Sequence, residues 1–308
     1  MIIALYENLT SLQNYKNLEK YFICKNLSDL KNNHYDDVVA IFVKLKKQIL
    51  LEDIKKFVNL KYILTPTTGL NHIERKIINS SKFKIISLKN FKSKIKKITS
   101  TSEFALSIIL ASSRKILEHS ILSKKNIFSR YAYKTFQFRN TTVGIVGYGR
   151  VGQYVAKKLI NLGFKIIIFD KKKIFNKNKN FKPLNYLMRH SDIISIHIDY
   201  SPQNKNFINK KYFNLCKKKP SIINTSRGEV LNEVDLISSL EKGKISTAYL
   251  DVISNEQIET SRKKSKLFNL NKGKKLFLFP HLGGSTIDAM IETENLIIKN
   301  FLKIYNEN

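Results

Sequence analysis

The 308-residue chain lacks the run of about eighteen apolar residues that a membrane-crossing helix needs. Its first residues, MIIALYENLT, carry neither the basic start nor the cleavage pattern of a secretory signal. A cytoplasmic protein with no membrane partner is therefore expected. Cysteine is nearly absent: Cys24 and Cys216 stand in unrelated contexts, without metal or redox spacing, and a structural disulfide is not expected in such a compartment. No metal site is expected. There is no repeat of solenoid period and no low-complexity tail beyond a lysine bias. Arginine is also scarce, at eight of the 55 basic residues.

That last scarcity bears on the net charge of +31. A basic surface attracts polyanions without any specific site. Specific readers of nucleic acid, however, cluster their basic residues and favour the bidentate arginine fork. Here lysines occur in almost every segment, among many asparagines and isoleucines. The charge reads as a compositional bias that attracts small anionic substrates, and a nucleic-acid partner is not expected.

What the chain does have is organised around Val143 to Asp170, VGIVGYGRVGQYVAKKLINLGFKIIIFD. The apolar run Val143–Val146 leads into Gly147, Gly149 and Gly152, then an amphipathic segment, then a second apolar run ending on Asp170. This is a strand, a tight turn, a helix and a strand. The glycines serve a sharp turn, close backbone approach to a pyrophosphate and close packing of helix on sheet. The helix start offers unpaired N–H groups to phosphate. An acidic residue 18 positions after Gly152, at a strand end, completes a dinucleotide-binding pattern.

The length allows two domains. Residues 1 to about 95 alternate strands (Ile2–Leu5, Val38–Val43, Tyr62–Leu64, Phe83–Ser87) with helical segments (Leu50–Val58, Ile73–Ile78), as in a parallel α/β sheet. The loop Thr65-Pro66-Thr67-Thr68-Gly69 after the third strand is a candidate site, although by local sequence it reads first as an ordinary Pro/Gly turn. Lys89–Lys97 is a basic connector, and Ser102–Leu117 reads as one helix. Ser123–Asn140 has no clear periodicity and fits either a loop or an arm reaching a partner subunit. Lys171–Lys182 and Ile258–Lys275 read as charged surface segments. Three ionisable residues lie at or just past strand ends: Arg227, Glu256 and His281. Each alone has a bland explanation as a solvated loop residue. Together, on the edge where a dinucleotide should lie, they supply a proton donor or acceptor and a cation for a substrate carboxylate.

The ordered motifs GIVGYGRVG, IIIFD, SDIISIHI, IINTSRGEVLNE, AYLDVISNE and PHLGGST, with TTGLNHIE and STSEFALSIILASSRK upstream, resemble the D-isomer-specific 2-hydroxyacid dehydrogenase family, which includes phosphoglycerate dehydrogenases. The resemblance covers roughly residues 60 to 290. It implies a catalytic set of Arg227, Glu256 and His281. In it His281 exchanges a proton with the substrate oxygen, Glu256 hydrogen-bonds to the imidazole and favours its charged form, and Arg227 binds the substrate carboxylate. It also implies backbone contacts to substrate from Thr68 and Gly69. Arg150 and Val151, with Gly147, Gly149 and Gly152, would lie on the pyrophosphate, Asp170 on the adenosine ribose, and Thr225 and Asp251 near the nicotinamide. Because a carboxylate accepts from ribose hydroxyls and repels a 2′-phosphate, Asp170 favours NAD. Lys171, Lys172 and Lys173 soften that repulsion and keep NADP as the lesser alternative.

The expected architecture is α/β, with two Rossmann-like domains built on parallel sheets. A nucleotide domain, 96–280, is inserted into a substrate domain made of 1–95 and 281–308, with the active site in a cleft closed by hinge motion. The expected activity is NAD-dependent interconversion of a D-2-hydroxy acid and its 2-oxo acid, in a homodimer. Phosphoglycerate oxidation is the alternative within the class, and a dinucleotide-sensing, corepressor-like nucleic-acid partner the alternative outside it. Three positions depart from the family pattern: Asp199 and Phe279 stand where proline and threonine are usual, and Gln257 replaces the proline that usually follows the catalytic glutamate.

Overall fold

Short apolar runs bounded by polar turns dictate strands buried on both faces, and these need helices on each side to cover them. The computed structural model describes residues 1–91, 93–172, 180–270 and 275–307. Lys92, Lys173, most of the Lys171–Lys182 loop and the end of the Ile258–Lys275 segment fall outside the described residues. The chain divides into two compact units, Met1–Ile98 with Ser285–Asn308, and Thr99–Gly284. The second unit thus interrupts the first in sequence. The boundaries fall three and four residues later than the sequence-based division, so that His281 belongs to the second unit.

The first unit holds a parallel sheet of β1 (Ile2–Leu5), β2 (Ile23–Asn26), β3 (Val38–Phe42), β4 (Tyr62–Thr65) and β5 (Lys84–Ser87), in the order β2-β1-β3-β4-β5. Alternate residues feed two cores: Ile3, Leu5, Phe42 and Leu64 on one face, and Ile2, Ala4, Ile41 and Ile63 on the other. Ile297, Ile298 and Phe301 of the C-terminal helix Ile287–Asn306 cover the first face. β2 was not expected from the sequence. It is an edge strand with only one neighbour, its Ile23 is 57% exposed, and so its composition shows no apolar run. The expected helices Leu50–Val58 and Ile73–Ile78 shrink to single turns, Leu51–Ile54 and Arg75–Ile78.

One buried polar cluster ties the first unit's loop after β1 to the C-terminal helix. Glu294, fully buried, accepts from Thr10 N and Oγ1, from Asn14 Nδ2 and, at 2.7 Å, from Lys44 Nζ.

The second unit holds β6 (Thr142–Val146), β7 (Lys165–Phe169), β8 (Ile193–Ile196), β9 (Ser221–Asn224), β10 (Thr247–Leu250) and β11 (Leu276–Leu278), in the parallel order β11-β10-β9-β8-β6-β7. The chain direction of growth reverses between β6 and β8, and ligands of such sheets bind beyond the carboxyl ends at that switch point. The helix expected over Ser102–Leu117 is two, Ser100–Ser113 and Ile116–Ser123, broken at Lys115 with φ +52°. The break lets Lys115 Nζ reach Ser221 Oγ and Thr247 Oγ1, both at 3.2 Å, and the buried Glu118 at 3.1 Å, which also accepts from Tyr249 Oη. Ser221 and Thr247 are more than a hundred residues away, and local periodicity carries no sign of them. Among the described residues, no helix is long and apolar enough to cross a membrane.

Glu294→Ala would leave the half-buried Thr10 donors without their acceptor and remove the charged partner of the half-buried Lys44. The expected cost is about 3–5 kcal/mol, read as a lower denaturation midpoint in urea with the fluorescence of the chain's tyrosines as probe.

Candidate active site

The glycine turn is built by steric necessity. Gly147 has φ +98°, and a Cβ there would lie 2.6 Å from the carbonyl oxygen of His197. A Cβ on Gly152 would lie 2.0 Å from Gly147 O, so the helix Arg150–Asn161 can approach β6 only with glycine at that position. Gly149 is different: no atom stands within 4 Å of its missing side chain. It faces open space beside the helix N-terminus, where the N–H groups of the first turn, Arg150 and Val151 included, have no intrahelical acceptor.

Asp170, just past β7, closes this turn. Its Oδ2 accepts from Tyr148 N at 2.7 Å and its Oδ1 from Lys172 N at 2.8 Å. A carboxylate has about four lone-pair sites, so acceptor capacity remains for a ribose hydroxyl. Lys171 turns its ammonium over the Phe207 ring, 4.5 Å from the centroid. Lys173 lies outside the described residues. Thr225, at the end of β9, has a buried hydroxyl with no hydrogen-bond partner. An open glycine, a helix N-terminus, an acidic acceptor and an orphaned buried hydroxyl along one sheet edge fit a bound dinucleotide.

Burial pushes the Arg150 guanidinium below its ordinary pKa, and Asp199 acts in the opposite direction. The aspartate standing where the family has proline therefore places a charge near Arg150. His197 hydrogen-bonds through Nε2 to Ser195 Oγ at 2.9 Å, while Nδ1 is shut off from solvent without a partner. Burial lowers its pKa to about 4.

Three further strand ends carry the ionisable residues singled out in the sequence. Arg227 follows β9, Glu256 follows β10 and His281 follows β11, and because these strands are adjacent and parallel all three leave the same edge. His281 Nδ1 and Glu256 Oε1 are 2.6 Å apart, with the two side chains 22% and 15% exposed. An ionised Glu256 can only accept, so in that pair Nδ1 carries a proton and Nε2 is the ring nitrogen not engaged by Glu256. Gln257 donates from Nε2 to the same Glu256 oxygen at 3.2 Å, a contact that the proline usual at this position has no group to make. Arg227 donates from Nη1 to Ser226 O at 2.7 Å, and its own carbonyl accepts from Asn224 Nδ2.

His281 adopts φ +56°, uncommon for a residue with a side chain. Asp251 enforces it. The Asp251 carbonyl accepts from His281 N at 3.0 Å, and its carboxylate accepts from Leu282 N at 2.6 Å and Gly283 N at 2.9 Å. Burial raises the Asp251 pKa, and the two N–H groups oppose the shift. Ser100 Oγ donates to Gly283 O at 2.8 Å from the other side, and Phe279 packs edge-on against Phe104, centroids 5.5 Å apart. Asp251 thus shapes the histidine turn with both oxygens, a role the sequence reading, which set it near the nicotinamide, did not include.

Thr68 and Gly69 lie past β4 in the first unit. Thr67 Oγ1 donates to Gly69 O at 2.8 Å, so Thr65 Oγ1 must donate to Thr67 at 3.0 Å and His72 Nε2 to Thr65 at 3.1 Å. This one-directional chain orders the loop. His72 and Thr65 are both fully buried; Thr65 belongs to the candidate loop read from the sequence, whereas the part His72 plays in ordering it was not read there. Both cysteines are free thiols whose pKa burial raises to about 12, which removes them from nucleophilic chemistry.

These features define a dinucleotide-dependent oxidoreductase of the doubly wound α/β kind. The model of the D-isomer specific 2-hydroxyacid dehydrogenase NAD-binding domain matches residues 106–283, more than half of the chain. The chain belongs to that family, and it is an NAD-dependent oxidoreductase that interconverts a D-2-hydroxy acid and its 2-oxo acid. It is similar to a glyoxylate reductase of Thermofilum pendens, 28% identical over 87% of this chain and 78% of that protein. It is also similar to a hydroxypyruvate reductase of Thermotoga maritima, 28% identical over 82% of this chain and 80% of that one. The fold matches a D-lactate dehydrogenase structure from Aquifex aeolicus with a TM-score of 0.84 at 21% identity, covering 100% of this chain and 96% of that one.

His197 is expected to make stability pH-dependent. Its pKa is lowered in the folded state, from 6.5 to about 4. Between those values the unfolded chain binds the extra proton, so stability is complete above about pH 6.5 and is lost as pH falls toward about 4, by on the order of 3 kcal/mol. Thermal melts at pH 7 and pH 4.5 should separate more for the wild type than for His197→Asn; equal separation would remove His197 as the source.

Proposed function

We propose that the protein reduces a small, unphosphorylated 2-oxo acid, such as glyoxylate or hydroxypyruvate, with Arg227, Glu256 and His281 as the reacting set. The 2.6 Å His281–Glu256 contact at the shared strand edge carries the reading. Bound NAD supplies the two-electron donor or acceptor for the C=O/CH–OH couple. His281 gives its Nε2 proton to the carbonyl oxygen in reduction and takes it back from the hydroxyl in oxidation. Glu256 holds the ring by Nδ1 and offsets the imidazolium charge. Arg227 pairs with the substrate carboxylate, whose geometry its planar fork matches, and Thr68 and Gly69 add backbone contacts. Gly147, Gly149, Arg150, Val151 and Gly152 hold the pyrophosphate, Asp170 the ribose, and Thr225 and Asp251 the nicotinamide end.

Two observations support a substrate without phosphate. The relatives with glyoxylate and hydroxypyruvate activities in their names match most of the chain. Lys44, the first cation after β3, spends its three donors on Glu294, Asn8 O and Thr10 Oγ1, at 2.7, 2.7 and 3.3 Å. The protein is further proposed to act in the cytoplasm as a homodimer. The exposure of Phe128 (98%), Tyr131 (86%) and Phe136 (62%) between residues 124 and 137 supports an arm that packs on a second copy.

His281→Ala should lower kcat by roughly 10²–10⁴-fold while NADH affinity, measured by fluorescence titration, stays within error; near-wild-type turnover would remove His281 from the mechanism. In NADH-consumption assays over glyoxylate, hydroxypyruvate, pyruvate and phosphohydroxypyruvate, the first two should give the highest kcat/KM. A clear preference for the phosphorylated acid would instead make the protein a phosphoglycerate dehydrogenase.

A further inference from the structure

Glu256 sits on a loop with no regular structure of its own, Val252 to Ile258. Its side chain bonds to His281 and Gln257, and its carbonyl accepts from Arg262 Nη1 at 2.8 Å. The two residues before it are held from elsewhere. Ser254 N donates to Glu233 Oε1 at 2.6 Å, and Asn255 N donates to Glu229 Oε1 at 3.2 Å. Asn255 has φ +53°, a conformation that needs such support in a residue with a side chain. Between these two glutamates and Arg227 stands Gly228, where a Cβ would lie 2.0 Å from Ile253 C and 2.2 Å from Ser254 N. The backbones of the two loops are therefore in direct contact.

We propose that Glu233, assisted by Glu229, is the positioning residue of the proton-transfer pair, fixing the Ser254–Asn255 backbone so that Glu256 reaches His281. The inference rests on the His281–Glu256 reading and adds a residue that touches neither substrate nor cofactor. It makes the segment 227–233 a common frame, since the stretch that carries the arginine also grips the loop that carries the glutamate. A glutamate at the first position of helix Glu233–Glu241 has an ordinary use as an acid at a helix start. That use requires charge near the helix axis and no reach to a residue 21 positions away. Burial raises the Glu233 pKa, Ser254 opposes the shift, and the charges of Glu229 and Glu256 add to it. Either protonation state keeps an oxygen that accepts from Ser254, so the position depends on side-chain length and an acceptor more than on charge.

The two roles rank substitutions oppositely. Glu233→Gln keeps the reach and an acceptor oxygen, whereas Glu233→Asp keeps the charge at the helix start and withdraws the acceptor by one methylene. Positioning predicts that Glu233→Asp and Glu233→Ala lower kcat by about 10- to 100-fold, with NADH affinity intact, and that Glu233→Gln restores most of the loss. Should Glu233→Ala fail to fold, the Asp and Gln pair decides alone. In a Glu256→Gln background, Glu233→Asp should cost no more than about twofold further, because it acts through Glu256. A full further loss there, or an Asp variant more active than the Gln variant, overturns the proposal. Wild-type turnover in Glu256→Gln alone would instead overturn the reading beneath it.

Discussion

Parallel pairing is the constraint on which the second unit depends. Six strands running the same way put every carboxyl end on one edge, so residues far apart in sequence leave the sheet side by side: Gly147 after β6, Asp170 after β7, His197 after β8, Thr225 and Arg227 after β9, Asp251 and Glu256 after β10, and His281 after β11. No local interaction could gather them. Strands buried on both faces by the two clusters around Ile194, Ile222 and Ile145, Ile223 make the register costly to alter, because a one-residue slip would exchange the two faces. The rigidity of this edge is thus a consequence of core packing.

The edge delivers the groups, but it does not orient them. Orientation comes from backbone N–H groups captured by carboxylates: Asp170 on Tyr148 and Lys172, Asp251 on Leu282 and Gly283, Glu233 on Ser254, Glu229 on Asn255. Charge-assisted bonds of this kind are about twice as strong as neutral ones, which suits loops that hold left-handed residues such as Asn255 and His281. In a chain with 24 acidic residues against 55 basic ones, four of the acids are devoted to pinning the loops of one edge.

The parts legible in the sequence are those with local causes. Strand runs such as Ile2–Leu5 and Thr247–Leu250, the glycine turn and the alternation of strands with helices follow from periodicity and from steric demands that act over a few residues. The family's motifs then pointed to Arg227, Glu256 and His281. The rest depended on distance. The break at Lys115 answers to Ser221 and Thr247, the edge strand β2 answers to one neighbour, and Glu233 answers to Ser254. Glu233 was hidden twice over, since an acid following an Asn N-cap is fully accounted for by the helix it begins.

Asp170 shows why cofactor choice and loop structure are hard to separate. The carboxylate that would repel a 2′-phosphate is also the acceptor that closes the glycine turn through Tyr148 N and the following turn through Lys172 N. Lys171, one of the residues that could soften that repulsion, is drawn over Phe207 instead. An asparagine at position 170 would be neutral but would keep one acceptor oxygen where the aspartate uses two, so one of the two turn N–H groups would lose its partner. Any influence of Asp170 on cofactor choice is therefore bound to the geometry of its loop as well as to its charge.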